Sequence, residues 1–74
     1  MTTQEFSEIQ GWLYPEEISY LQAMYDDVRT DDMLMSIRAM QSLAEHGIVN
    51  LRRTFGESTL TPIGRQFVEW MRTG

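Results

Sequence analysis

The apolar pattern of the chain changes period at Gly47, and that change constrains the fold more than any other feature. Before it, in "DMLMSIRAMQSLAEHG", Met33, Ile37, Met40, Leu43 and Ala44 fall three or four residues apart. This spacing predicts the strongest helix of the chain, capped at its start by Thr30 or Asp31. Gly47 supplies the left-handed residue that ends it. After Gly47, "IVNLRRT" alternates, with Val49 and Leu51 on one face and Ile48, Asn50 and Arg52 on the other. That is a strand pattern. "FGE" at 55–57 turns the chain, with Gly56 expected at positive φ, and "STL" returns as a second short strand. Thr61 is placed to cap a last helix that Pro62 begins, with Ile63, Phe67, Trp70 and Met71 as its apolar stripe.

The N-terminal part reads as two more helices. Thr2 and Glu5 stand at capping-box spacing ahead of Phe6, Ile9 and Leu13, which predicts a helix over about 3–10 with Gly11 as its stop. Pro15 opens a second helix to about residue 26. Glu16 and Glu17 lie in its first turn, where the helix dipole favours negative charge. Ile18, Leu21, Met24 and Tyr25 form its stripe, and "DDVRTDD" is a polar connection. The predicted order is α-α-α-β-β-α, an α+β chain forming a single domain over 1–74.

A chain of 74 residues buries only about 60–65% of its unfolded surface. With no cysteine, no disulfide or thiolate metal site reinforces that core. Six methionines, two tryptophans, three tyrosines and three phenylalanines supply bulk instead, for dense packing or for burial against a partner subunit. Residues 1–14 lack a basic start followed by an apolar run, and no stretch approaches the roughly 20 apolar residues that span a bilayer. The expectation is a cytoplasmic protein without a membrane segment. The net charge is −5 but unevenly placed. Residues 1–32 carry eight carboxylates against Arg29, a net −7, and the remainder carries five arginines against three glutamates, a net +2. An anionic partner is therefore expected to meet the second half.

A helix ending in Leu43-Ala44-Glu45-His46-Gly47-Ile48-Val49, a two-stranded hairpin, and then Leu60-Thr61-Pro62-Ile63-Gly64-Arg65 opening a helix resembles the winged helix-turn-helix regulators, most of all the MarR and PadR kind. The resemblance covers about residues 36–72. It implies a small winged helix with three helices, a hairpin wing and a C-terminal helix. It implies that the long helix enters the DNA major groove while the wing lies on the backbone. It also implies a homodimer held by terminal helices.

On that basis Ser36, Arg38, Gln41 and Ser42 of the long helix and Arg52, Arg53 and Arg65 are the candidate contacts to double-stranded DNA. The plainer alternatives are a solvated helix face and an Arg52/Arg53 pairing with Glu57 across the hairpin. Trp12, Phe67, Trp70 and Met71 are candidates for a dimer or partner interface, and as an alternative they fill the domain's own core. Asp31 and Asp32 are expected at the N-terminal end of the long helix, where their charge would repel phosphate. Gly64, inside a helix start, costs about 1 kcal/mol relative to alanine, and close approach of another backbone explains it.

No catalytic constellation is present. His46 is the one histidine and has no second ligand spaced around it. "DDVRTDD" lacks the glycine and distal glutamate of a calcium loop, and there is no nucleophile elbow or phosphate loop. The expectation is a non-enzyme without cofactor or metal. It is either a DNA-binding transcriptional regulator or a winged-helix protein-interaction module docking through acidic or aromatic faces. Fold alone does not choose between these.

Overall fold

A computed structural model describes residues 2–73. Four helices surround one core, and a short antiparallel hairpin closes one side. The elements are α1 (Thr3–Trp12), α2 (Pro15–Tyr25), α3 (Ile37–Glu45), β1 (Val49–Asn50), β2 (Thr59–Leu60) and α4 (Pro62–Thr73). The expected order is met, and the domain is α+β.

Each helix start is visible in the sequence, with one exception. The Thr2 hydroxyl accepts the Glu5 N–H at 3.3 Å. The Tyr14 N–H donates to Glu17 Oε1 at 2.9 Å, and Pro15 takes the first helical position, where a missing N–H costs nothing. The Thr61 hydroxyl accepts the Gly64 N–H at 2.9 Å. Gly11 is not the stop of α1, which runs on to Trp12. Leu13 and Tyr14 are extended ahead of Pro15, whose ring disfavours helical geometry in the preceding residue.

The exception is α3. It begins at Ile37 rather than near Asp32, and Ser36, not Thr30 or Asp31, is its cap, with Oγ accepting the Ala39 N–H at 3.1 Å. Its nine residues make it the shortest of the four helices, not the long one expected. Two interactions delay its start. The Ser36 hydroxyl also donates to Glu17 Oε2 at 3.0 Å, fixing the chain against α2. Residues 33–35 are non-helical, with Met33 and Met35 packed on the core and Leu34 outward. Ile37 consequently falls on the outer side of the first turn and is 66% exposed, not on the core face.

Both α2 and α3 end in the same device. The Val28 N–H donates to Ala23 O at 2.8 Å, and the Ile48 N–H donates to Leu43 O at 2.8 Å. Such six-residue closures need one left-handed residue. Gly47 supplies it after α3 with φ 76°, as expected, and Asp27 supplies it after α2 with φ 58°. Gly56 does not have a positive φ and lies instead in a 3₁₀ turn, Phe55–Glu57.

The hairpin pairs Val49 with Leu60 and Asn50 with Thr59. Its strands are two residues long, shorter than the expected 48–54 and 58–60. Ile48 and Val49 are both buried while Leu51 is exposed, which departs from simple alternation. The reason is that Ile48 belongs to the closure of α3 and packs inward before the strand begins. The Ser58 Oγ then accepts the Arg52 N–H at 3.0 Å, tying the two arms of the loop.

The core is built from Ile9, Leu21, Met40, Leu43, Ile48, Phe67 and Val68, all fully buried. Phe6 of α1 meets Phe67 and Trp70 of α4 at ring-centroid distances of 5.3 and 5.8 Å. Phe67 is 0% exposed and thus belongs to the core, not to an interface. Trp70 and Met71 are half-buried against the same core, while Ile63, expected in the same stripe, is exposed.

Gly64 sits where α4 crosses the start of β1. A Cβ there would lie 2.0 Å from the Ile48 carbonyl oxygen. Gly11, in contrast, has nothing within 4 Å of its missing Cβ. Gly64→Ala is therefore expected to destabilise the domain by at least about 2 kcal/mol. Gly11→Ala is expected to stabilise it by about 0.5–1 kcal/mol. Urea unfolding of the two variants checks both signs.

Candidate functional site

The six arginines divide into two groups by what their guanidinium groups touch. Arg29 pairs with Asp31 at 2.5 Å, with both side chains largely exposed. Arg72 pairs with Asp26 at 2.6 Å. Arg65 and Arg72, two turns apart on α4, each place a guanidinium carbon 4.7 Å from the centroid of the Tyr25 ring. Between them in sequence, Glu69 accepts the Tyr25 hydroxyl at 2.6 Å. These contacts clamp the end of α2 to α4. Arg65 thus joins a cleft with Tyr25, Asp27 and Glu57, at the foot of the hairpin loop.

Arg38, Arg52 and Arg53 form the second group. All three are exposed, and none has a carboxylate oxygen within 4 Å among the described residues. The pairing of Arg52 or Arg53 with Glu57 across the hairpin is not made. Arg38 projects from α3, and Arg52 and Arg53 leave β1 toward the loop.

The outer face of α3 also carries Gln41 and Glu45, both exposed, with Ser42 half-buried beside them. Ser36 is not available to a ligand in the way expected, because its hydroxyl both donates to Glu17 and accepts from Ala39. Asp31 and Asp32 do not stand at the start of α3. Asp31 instead lines a cleft with Thr54 and Gly56 of the hairpin loop. No local pattern foretells this, since Asp31 and Thr54 are brought together only by the packing of the 26–36 connection.

On the other flank of α3, Trp12 and Tyr14 stand beside Arg38, Ser42 and His46 around a groove of about 430 Å³. Trp12 is 41% exposed, and its ring lies 6.0 Å from the His46 ring. His46 Nδ1 is 2.7 Å from the Ser42 carbonyl oxygen. Sequence reasoning singled out Trp12, Arg38 and Ser42 separately but did not place them together. Their only common signal is that the α1–α2 junction must pass one end of α3. Among the described residues, no three histidine, aspartate or glutamate side chains gather to hold a metal ion, and no helix is long and apolar enough to cross a membrane.

No family model matches the chain, and no curated protein or solved structure is significantly similar to it.

The Tyr25 clamp has a measurable signature. The hydrogen bond to Glu69 favours the neutral phenol and raises its pKa above the ordinary tyrosine value, with desolvation and the Glu69 charge adding to it and Arg65 and Arg72 opposing. The linked stability is fully present below the unfolded tyrosine value, about 10, and is lost as pH rises through the higher folded value. In a spectrophotometric alkaline titration, Glu69→Gln is expected to bring the Tyr25 transition down. An unchanged transition would show that Glu69 does not set it.

Proposed function

We propose that this domain is a winged helix that binds double-stranded DNA, with α3 toward the major groove and the hairpin loop as the wing on the backbone. The observation that carries the reading is the division of the arginines. Arg29 and Arg72 are paired with carboxylates and Arg65 lies over Tyr25, while among the described residues Arg38, Arg52 and Arg53 have neither kind of partner at the guanidinium. Free guanidinium groups suit phosphate, which they hold by charge-assisted hydrogen bonds. Arg38 and Gln41 are the side chains with the chemistry to meet base edges, guanine for the first and adenine for the second. Asp31 and Asp32 do not stand at the start of α3, and Asp31, beside the hairpin loop, is paired with Arg29. A small transcriptional regulator of the MarR or PadR type is the corresponding role. The corresponding homodimer would use the α1–α4 edge, where Trp70 and Met71 line a shallow cleft with Ser7 and Gln10.

A second reading, a protein-docking module, has its own observation. Tyr14, Leu34 and Ile37 are 70, 74 and 66% exposed around the start of α3, an apolar surface that phosphate does not use.

Three phosphate contacts predict a slope of log K against log salt of about −2.7 on duplex DNA. The double variant Arg52→Ala/Arg53→Ala is expected to reduce its magnitude to about 1, and Arg65→Ala to leave it unchanged. Absence of binding at low salt would remove the DNA reading and favour the docking surface at Tyr14, Leu34 and Ile37.

A further inference from the structure

We infer that the apolar patch at Tyr14, Leu34 and Ile37 docks a cationic amphipathic helix of a protein partner, with aliphatic side chains on the patch and lysine or arginine at its rim. The inference deepens the docking reading and rests on it, not on the DNA reading.

Tyr14, Leu34 and Ile37 are the three most exposed large apolar side chains among the described residues. Tyr14 and Leu34 line one cleft with Glu16, Glu17 and Ser36, and Ile37 follows Ser36 in the chain. Their outward position is held from within. Met33 and Met35 pack on the core, which turns Leu34 between them to water. Ser36, tied to Glu17 and capping the Ala39 N–H, starts α3 so that Ile37 lies outside. Neighbouring exposed apolar side chains of this kind mark an interaction surface, and groups already held in place lose little freedom on binding.

Charge selects the occupant. The charged residues lining the cleft at Leu34 are Glu16 and Glu17, both carboxylates. Both donors to Glu17, the Tyr14 N–H and the Ser36 hydroxyl, are neutral, so its charge is not compensated. Asp32, two residues before Leu34, adds a third carboxylate and has no arginine within 4 Å among the described residues. Arg38, next to Ile37, opposes them, but it lines the neighbouring groove with Trp12 and not the cleft with Leu34. The rim is therefore negative.

A second copy of the chain fits this surface poorly, because a two-fold interface would set Glu16, Glu17 and Asp32 against themselves. An anionic lipid surface meets the same repulsion. A cationic amphipathic helix answers both features. Apolar side chains three or four residues apart cover Tyr14, Leu34 and Ile37, and basic residues flanking that stripe reach the carboxylates.

The test is a titration of the ¹⁵N-labelled domain, at physiological ionic strength, with a fourteen-residue helical peptide of leucine and lysine. Twins carry glutamine or glutamate in place of lysine. The lysine peptide is expected to give saturable amide shifts at Tyr14 and residues 34–38. The glutamine twin is expected to bind about tenfold more weakly, and the glutamate twin not at all. Glu16→Gln/Asp32→Asn is expected to weaken the lysine peptide about fivefold and to leave the glutamine twin unchanged. Glu45→Gln/Glu57→Gln, which removes the same charge elsewhere, is expected to change neither. Leu34→Ser is expected to weaken both by at least about tenfold. All five positions are exposed, so the variants retain the fold, and the dispersion of their spectra verifies that. Equal binding of the three peptides would overturn the cationic assignment and leave the docking reading standing. No saturable shift with any of them would overturn both. A Glu45→Gln/Glu57→Gln variant weakened as much as Glu16→Gln/Asp32→Asn would reduce the effect to net charge and also overturn the inference.

Discussion

The carbonyl of Ile48 accepts the Thr61 N–H at 3.0 Å and lies directly against Gly64, where any side chain would collide with it. Around this one group three elements meet: the end of α3, the start of β1 and the start of α4. The Thr61 hydroxyl contributes on both sides, donating to the Gly47 carbonyl and accepting the Gly64 N–H. The result fixes α4 beside the hairpin and delivers Phe67 and Val68 to the core. A small domain without disulfides needs such a close crossing, because a wider one would leave the core under-packed. The glycine's cost in helix propensity is the consequence of that proximity.

From this fixed corner, the remaining geometry is set by two polar anchors on α2. Glu17 at its start receives hydrogen bonds from Tyr14 and Ser36. Tyr25 at its end is held by Glu69 and flanked by Arg65 and Arg72. The first anchor places Ser36 and so fixes where α3 begins. The second attaches α2 to α4. Both use ionisable side chains, yet neither leaves a buried polar side-chain atom unsatisfied among the described residues.

The same anchors shape the charge that the surface presents. With Arg65 and Arg72 against Tyr25 and Arg29 paired with Asp31, Arg38, Arg52 and Arg53 are the arginines without a carboxylate or aromatic partner among the described residues. The α2–α3 anchor at Glu17 lies in the same groove as Trp12 and Arg38. An acidic domain can thus present local positive faces, because much of its negative charge lies on α1, α2 and the 26–36 connection.

The sequence by itself determined the element order, the stops and starts at Gly47, Thr61 and Pro62, and the need for a close approach at Gly64. These features are local: a cap, a left-handed residue or a missing side chain acts within a few residues of itself, and periodicity reports the rest. The tertiary structure decided which members of a pattern face inward and which polar groups remain free. Ile37 was moved outward by a hydrogen bond between Ser36 and Glu17, 19 residues apart in the chain. Arg65 was drawn to Tyr25 and Asp31 to the hairpin loop. Phe67, one apolar residue among several on α4, became the centre of the core. Trp12, Arg38 and His46 came to share one groove. These pairings form between residues distant in sequence, and their energies depend on packing that no short-range pattern encodes.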